Sequence, residues 1–168
     1  MTQSIGFGQM PDSCAVPVVS VVMANFRGAA HLACAMASVL AQTERRLELI
    51  VVDDASDDDS VEIARGIARD DARVRVIASP DNQGPAATRN LALEAARGTW
   101  VAIVDSDDLI HPARLARLIA AAEAAGADLI ADDLVYFGAG TAPQGQTLLQ
   151  SLALVAPTGW LALLPLPV

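Results

Sequence analysis

Three carboxylates lie directly after a short apolar run within this 168-residue chain. The run covers residues 100–104, and the acids that follow it are Asp105, Asp107 and Asp108. An apolar run of this length, bounded by polar residues, predicts a central parallel strand. Three carboxylates this close repel one another, and in proteins a bound hard divalent cation usually offsets such repulsion. The segment therefore predicts a Mg²⁺ or Mn²⁺ site with a phosphate-bearing ligand, and the alternative is a solvated turn that caps the following helix.

The charge of the chain narrows the classes of ligand and of enzyme. Its formal net charge is −9, which argues against a nucleic-acid binder, because neutralising phosphates requires clustered basic residues. An anionic ligand would also be repelled unless a cation were bound with it. All 11 basic residues are Arg and none is Lys. This absence argues against a P-loop kinase, a Schiff-base enzyme and a response-regulator receiver domain, each of which needs a Lys.

Strand-like and helix-like segments alternate along the chain, which predicts an α/β fold with a largely parallel sheet and right-handed crossovers. Predicted strands cover residues 18–23, 47–52, 74–78 and 100–104, and a fifth starts at 129–131 and could extend to 137. Predicted helices cover residues 29–42, 60–69, 85–97 and 112–125. Loops that follow parallel strands meet at one edge of the sheet, where ligands bind. We therefore expect the polar residues of four loops to converge there.

The order of four motifs in this chain resembles inverting glycosyltransferases of family 2. The motifs are SVVMANFRG, LELIVVDDASDD, NQGPAATRN and ARGTWVAIVDSDD, and the resemblance covers residues 18–133. It implies the GT-A fold, a Rossmann-like three-layer α/β/α architecture with a mainly parallel sheet. It also implies a nucleotide-sugar donor, a UDP-sugar in many relatives. The sugar would pass with inversion to a hydroxyl of a glycan or lipid-linked acceptor.

The resemblance assigns roles to particular residues of this chain. Asp54 would hydrogen-bond the base, which is reasonable because a carboxylate can accept the ring N–H of uracil. Asp105 and Asp107 would bind the ribose and the metal that bridges the diphosphate, and Asp108 joins them as a third candidate metal ligand. The remaining two assignments are Arg89, near the nucleotide, and Asn25, lining the base pocket.

At one position the chain departs from the commonest pattern of the family. In addition, one catalytic group of the family has no match among these residues. Arg27 stands where Asn is frequent, which affects the expected contacts to the base. An inverting transfer needs a general base to deprotonate the acceptor hydroxyl. In relatives this acid lies well downstream, and Asp132 and Asp133 come too early to match it. We therefore expect the base to be absent from these 168 residues and transfer activity to be weak.

The expected organisation is an arm at residues 1–17, a nucleotide-sugar-binding domain at 18–137, and a loop with an apolar tail at 138–168. That tail would start an acceptor region that the chain lacks, and it predicts self-association into a homo-oligomer. Three prolines, at positions 157, 165 and 167, interrupt it, whereas a membrane span needs about 20 predominantly apolar residues.

The spacing of the cysteines and the sequence of the amino terminus indicate the cellular compartment of the protein. Cys14 and Cys34 match no metal-ligand spacing, and no signal peptide is recognisable. We expect reduced thiols in a cytoplasmic protein, with membrane association as an alternative. Two other functions remain open at this point. One is a non-catalytic module that binds nucleotide sugars. The other is a sugar-phosphate nucleotidylyltransferase, although residues 25–28 are poor in Gly and positive charge for a triphosphate loop.

Overall fold

A computed structural model describes residues 16–133, which form four strands alternating with four helices. The strands are β1 (Val19–Asn25), β2 (Leu47–Asp53), β3 (Val74–Ala78) and β4 (Trp100–Ile103). The helices are α1 (Leu32–Leu40), α2 (Ser60–Asp70), α3 (Pro85–Ala95) and α4 (Arg114–Ala125). The predicted tail lies outside the described residues, as does the predicted arm apart from residues 16 and 17.

Two predicted elements differ from the structure by more than two residues at one end. Helix α1 begins three residues later than predicted, because the Gly28 carbonyl accepts hydrogen bonds from the N–H groups of His31 and Leu32 and forms a turn first. The predicted fifth strand is wrong over residues 129–131, which form no strand. Leu129 is 85% exposed, so this stretch has no apolar face to bury there. Its predicted extension beyond residue 133 lies outside the described residues.

The four strands form one parallel sheet in the order β3-β2-β1-β4. This confirms the predicted mainly parallel α/β architecture. Strand β1 is central, pairs with β2 in register from Val19 opposite Leu47, and pairs with β4 from Val19 opposite Trp100. The strand order reverses between β1 and β4. Ligands of open α/β sheets bind at such a reversal, outside the carboxyl ends of the strands.

Helices cover both faces of this sheet. Helices α1 and α2 contact each other, whereas α3 packs on β1 and β2. Ala92 of α3 joins Val22, Ile50 and Val52 in a buried apolar cluster. Right-handed crossovers place α3 on the face opposite α1 and α2, because the chain reverses direction across the sheet after β3. The result is the predicted three-layer α/β/α arrangement.

The chain divides into two compact units, of which the first ends at Leu115 and the second begins at Ala116. The boundary falls within α4. The strands, helices α1 to α3 and the cavity described below all belong to the first unit. Among residues 16–133, no helix is long and apolar enough to cross a membrane.

A buried polar network lies toward the amino ends of the strands and is centred on Glu48 of β2, which is 2% exposed. Its carboxylate accepts hydrogen bonds from the Ser20 hydroxyl at 2.7 Å and from the Arg97 backbone N–H at 2.8 Å. The Arg97 guanidinium donates to the other Glu48 oxygen at 2.8 Å. Burial alone raises the pKa of Glu48, but the bonds from Ser20 and Arg97 outweigh it and hold that pKa below its usual value. The network ties the segment before β4 to β1 and β2.

Gly98 closes this network at the entry to β4, where its N–H donates to the Ser20 hydroxyl at 2.8 Å. A Cβ at this position would lie 2.5 Å from the Ser20 backbone nitrogen and 2.8 Å from the Val19 carbonyl carbon. Since neither backbone atom can move without disturbing β1, we expect Gly98→Ala to lower the free energy of unfolding by about 1–3 kcal/mol.

Urea denaturation measures this effect, and Gly66→Ala in α2 is the matched control. A Cβ on Gly66 would meet only the far end of the Arg69 side chain, at 3.7 Å. Because Ala favours a helix over Gly by about 0.5–1 kcal/mol, the control should gain stability. Equal effects of the two substitutions would contradict the close approach at Gly98.

Candidate functional site

A cavity of about 440 Å³ opens at the carboxyl edge of the sheet, where the strand order reverses. All four loops that follow β1, β2, β3 and β4 contribute to its lining. Five of the six residues singled out from the sequence line it, namely Asn25, Asp54, Arg89, Asp105 and Asp107. Asp108 is not among the lining residues. The structure thus brings the five together, while their individual roles stay predictions.

Asn25 ends β1 and is 2% exposed. Its Nδ2 donates to Asp53 Oδ2 at 2.7 Å. The Asp53 carboxylate also accepts hydrogen bonds from the backbone N–H and the hydroxyl of Ser56, at 2.9 and 2.7 Å. Asn25 Oδ1 is buried and receives no hydrogen bond within the described part of the chain. This side chain therefore presents an unused acceptor in a residue that lines the cavity.

Asp54 follows β2 and holds the loop that leads into α3. Its Oδ1 accepts the Gln83 backbone N–H at 2.9 Å, and its Oδ2 accepts the Gly84 N–H at 2.8 Å. Gly84 adopts a positive φ of 84° directly before the first residue of α3, a conformation that suits glycine. Sequence reasoning assigned Asp54 to the base alone. The structure adds a second role, since both carboxylate oxygens fix the start of α3.

Arg89 of α3 reaches the acids that follow β4. Its Nη2 donates to Asp105 Oδ1 at 2.7 Å. Its Nε is buried and has no hydrogen-bond partner among residues 16–133. Arg89 is therefore part of the cavity wall and is not a freely solvated charge on the surface of α3. Its ion pair with Asp105 also holds one of the predicted metal ligands in place.

The three predicted metal ligands do not form a three-acid cluster. Among the described residues, no group of three His, Cys, Asp or Glu side chains lies close enough together to hold a metal ion. Burial, together with the charges of Asp107 and Asp105, raises the pKa of Asp108, and Arg114 opposes that rise. Of the three predicted metal ligands, Asp105 and Asp107 line the cavity. This pair fits Mg²⁺, which proteins often bind through one or two carboxylates together with substrate phosphates.

Sequence reasoning missed several residues that line the cavity: Phe26, Gly28, His31, Thr88 and Ser106. Phe26, Thr88 and Ser106 are each adjacent in sequence to a predicted site residue. This adjacency is the feature of the sequence that could have indicated them. His31 lines the cavity, whereas His111 accepts the Ala113 backbone N–H through Nδ1 at 3.2 Å just before α4. The His111 side chain therefore stabilises the turn that leads into α4.

Arg27 joins the loop after β1 to the loop after β2. It is a non-glycine residue with a positive φ of 52°. Its backbone N–H donates to the Ser56 hydroxyl at 2.8 Å, and its guanidinium donates to both oxygens of Asp57 at 2.7 and 2.8 Å. The same guanidinium lies over the Phe26 ring, 5.0 Å from its centroid. The ion pair is exposed, so it positions the loop more than it stabilises the fold.

Comparison with known proteins identifies the family. Residues 20–160 match Glycosyl transferase family 2. The chain belongs to this family. It is 44% identical over 119 residues to the succinoglycan biosynthesis protein ExoO of Rhizobium meliloti (strain 1021), covering 71% of this chain and 34% of ExoO. It is 36% identical over 115 residues to the uncharacterized glycosyltransferase EpsJ of Bacillus subtilis (strain 168), covering 68% of this chain and 33% of EpsJ.

Solved structures of glycosyltransferases share the fold. TarS of S. aureus (residues 1–349, in complex with UDP) is 27% identical, with a TM-score of 0.67 over 75% of this chain and 38% of TarS. A mannosyltransferase of Pyrobaculum calidifontis, in complex with GDP-Man and Mn²⁺, is 27% identical, with a TM-score of 0.58 over 66% of this chain and 33% of that protein. These similarities confirm the GT-A fold. The chain spans about a third of the length of the curated relatives it matches.

Proposed function

We propose that this family 2 chain forms the donor site of an inverting glycosyltransferase. The donor is a nucleotide-diphospho-sugar, a UDP-sugar, and the acceptor is a hydroxyl of a glycan or lipid-linked substrate. One observation carries the proposal. In residues 16–133, the two buried side-chain polar atoms that lack a hydrogen-bond partner are Asn25 Oδ1 and Arg89 Nε, and both residues line the same cavity.

Unpaired buried polar groups are rare in native proteins, and each costs about 1–3 kcal/mol. Here one unpaired atom is an acceptor and the other is a donor, so a ligand that carries both kinds of group would satisfy both. A nucleotide is such a ligand. Phe26, a residue 46% exposed that lines the cavity, also offers an apolar ring against which a planar base can stack.

A diphosphate needs positive charge in this cavity. The two arginines of the lining, Arg27 and Arg89, already pair with Asp57 and Asp105. The whole chain carries a net charge of −9. A divalent cation, Mg²⁺ or Mn²⁺, held by Asp105 and Asp107 would supply the missing charge. The Mn²⁺ that accompanies GDP-Man in the Pyrobaculum calidifontis mannosyltransferase supports this assignment.

The mechanism assigns distinct tasks to the residues of the site. Asp105 and Asp107 would hold a divalent cation, which when bound would supply Lewis-acid stabilisation of the departing diphosphate. Arg89 orients Asp105 through their 2.7 Å hydrogen bond. Asp54 fixes the loop that begins α3. These three aspartates are the acids that line the cavity, and all serve the donor. We therefore place the general base that deprotonates the acceptor hydroxyl outside residues 16–133.

Calorimetric titration of the 168-residue chain with UDP tests this proposal. We expect the affinity for UDP to be about tenfold or more higher with Mn²⁺ than with excess EDTA, a difference of about 1.4 kcal/mol. Asp107→Ala should remove most of this dependence. Asp108→Ala should keep it, because Asp108 does not line the cavity.

Parallel titrations with GDP and UDP identify the base that the site prefers. Equal UDP affinity with Mn²⁺ and with EDTA would show that the assignment of the metal is wrong. If neither UDP nor GDP binds the folded chain at millimolar concentration, the proposed donor class is wrong.

A further inference from the structure

We propose that Gln42 is a positioning residue of the donor site, whose side chain holds the chain after β4 so that Asp105 and Asp107 line the cavity. The inference rests on the proposed function, because it takes these two acids as the metal ligands. It adds a residue that does not line the cavity and that the mechanism above does not use. The acids lie in the acid loop, residues 105–109, and the anchor segment, residues 110–115, follows it.

The Gln42 side chain is a buried polar group whose hydrogen-bonding groups are all paired. Gln42 is 0% exposed and comes two residues after the end of α1. Its Nε2 donates to the Ser38 carbonyl at 3.2 Å and to the His111 carbonyl at 2.8 Å, and its Oε1 accepts the Leu115 backbone N–H at 3.0 Å. The opposite orientation would place the amide oxygen against two carbonyl oxygens, so these contacts fix the amide.

The contacts of Gln42 belong to a set that joins the end of α1 to the anchor segment. The Ile110 backbone N–H donates to the Ser38 hydroxyl at 3.2 Å, and the Thr43 backbone N–H donates to the Pro112 carbonyl at 2.8 Å. Of these four hydrogen bonds between the two segments, Gln42 makes two. Its side chain is therefore the main link between α1 and the residues that follow the acid loop.

The acid loop is held at both of its ends. On the upstream side, the Val104 backbone N–H donates to the Val22 carbonyl of β1 at 3.1 Å. On the downstream side, the anchor segment is bound to the end of α1. Between these points the Asp108 N–H donates to the Asp105 carbonyl at 3.1 Å, which forms a turn around Asp107. Because Mg²⁺ demands near-ideal octahedral geometry, a loop released at one end should bind the cation less well.

Calorimetric titration of Gln42→Met with UDP tests this inference. Met has a length similar to that of Gln, but it offers no donor and only a weak acceptor. We expect the ratio of UDP affinity with Mn²⁺ to that with excess EDTA, about tenfold in the unmodified chain, to fall to about threefold or less. The affinity in EDTA should change by less than about twofold, because no metal then links the acids to the diphosphate.

Amide hydrogen exchange of the metal-free chain locates the effect without any bound ligand. In Gln42→Met, exchange should become about tenfold faster at Ile110 and Asp108, which lie at the released end of the acid loop. Exchange at Val104 should stay unchanged, because its N–H donates to β1.

Glu48→Ala is the matched control for a general loss of stability. Glu48 is also a buried polar side chain that pairs backbone and side-chain groups, but its network lies toward the amino ends of the strands. This variant should be destabilised and should keep the ratio of affinities of the unmodified chain.

Ser38→Ala is the second variant, and it decides the test if Gln42→Met fails to fold. It removes the acceptor of the Ile110 N–H and leaves the backbone carbonyl to which the Gln42 amide donates. It should lower the ratio of affinities in the same direction and speed exchange at Ile110.

The outcomes separate this inference from the proposed function. A folded Gln42→Met that keeps the full ratio would overturn the inference and leave the donor site in place, and so would a folded Ser38→Ala that keeps it while exchange at Ile110 is faster. An equal fall in affinity with Mn²⁺ and with EDTA, or an equal fall of the ratio in Glu48→Ala, would also overturn it, because the effect would then not be specific to the acid loop. An unmodified chain that binds UDP equally with Mn²⁺ and with EDTA would overturn the metal assignment as well.

Discussion

Replacing Glu48 with Ala is expected to lower the free energy of unfolding by about 2–4 kcal/mol. The substitution removes a buried acceptor, leaves the Ser20 hydroxyl without the carboxylate to which it donates, and leaves the Arg97 backbone N–H with Ser20 Oγ alone, at 3.1 Å. The Arg97 side chain is 63% exposed, so the ion pair itself contributes little, and most of the loss comes from the Ser20 hydroxyl and from the cavity that the shorter side chain leaves. Urea denaturation measures the change. Glu62→Ala, at an exposed position in the first turn of α2, is the control and should stay within about 0.5 kcal/mol of the unmodified chain.

The contribution of Glu48 should depend on pH. Its native pKa lies below the ordinary value of 4.5, so the unfolded chain takes up the proton at a higher pH than the folded chain. The stability that the charged carboxylate provides is therefore complete above pH 4.5 and is lost as the pH falls through the native pKa. The difference in stability between the unmodified chain and Glu48→Ala should shrink on acidification. A difference that stays constant from neutral pH down to acid unfolding would show that the charge of Glu48 has no part in the network.

Asp54→Ala should weaken UDP binding about a hundredfold or more and lower the free energy of unfolding by about 3 kcal/mol or more. Hydrogen bonds to a charged group contribute about 1.5–3 kcal/mol each, and Asp54 accepts two of them from the backbone before α3. Without them the loop is free to move, and α3 carries Arg89. Calorimetry with UDP and amide hydrogen exchange at Gln83 and Gly84 measure the two effects.

Two comparisons interpret the result at Asp54. Asp81→Ala changes an exposed acid in the same loop and should leave both measurements unchanged. Asp54→Asn keeps one carbonyl oxygen for the backbone but presents an NH₂ group on the other side. If Asp54→Asn weakens UDP binding while amide exchange stays slow, Asp54 contacts the base directly. If neither substitution changes binding or exchange, the loop does not depend on Asp54.

The sequence predicts the sheet well because its strands are apolar runs. Strands β1 and β2 are buried at nearly every position, and such runs are typical of central parallel strands. Once the strands are known, their carboxyl ends place Asn25, Asp54 and Asp105 at one edge. Over residues 129–131 the predicted fifth strand is wrong for the same reason that the others are right. An apolar pattern shows that a segment can be buried, but a strand also needs a neighbour with which to pair.

The partners of the site residues could not be predicted. The bond from Arg89 to Asp105 joins a helix to a loop, and the bonds to Asp54 come from backbone groups of another loop. Side-chain periodicity contains no information about such contacts, because they depend on how the loops meet in space. The same holds for Asn25, whose residue type indicates a polar group at the end of β1. That its oxygen lacks a partner follows only from the position of Asp53.

The central position of β1 determines when the site can form. Strand β1 pairs with β4 although α1, β2, α2, β3 and α3 all lie between them in sequence. Contacts between such distant segments form slowly, because the intervening chain must be ordered before they add stability. During synthesis the loop after β1 emerges early. The cavity that it helps to form is incomplete until Asp107 has left the ribosome. The cavity is thus among the last parts of this unit to mature, and a chain interrupted before β4 exposes one edge of β1 to pairing with other chains.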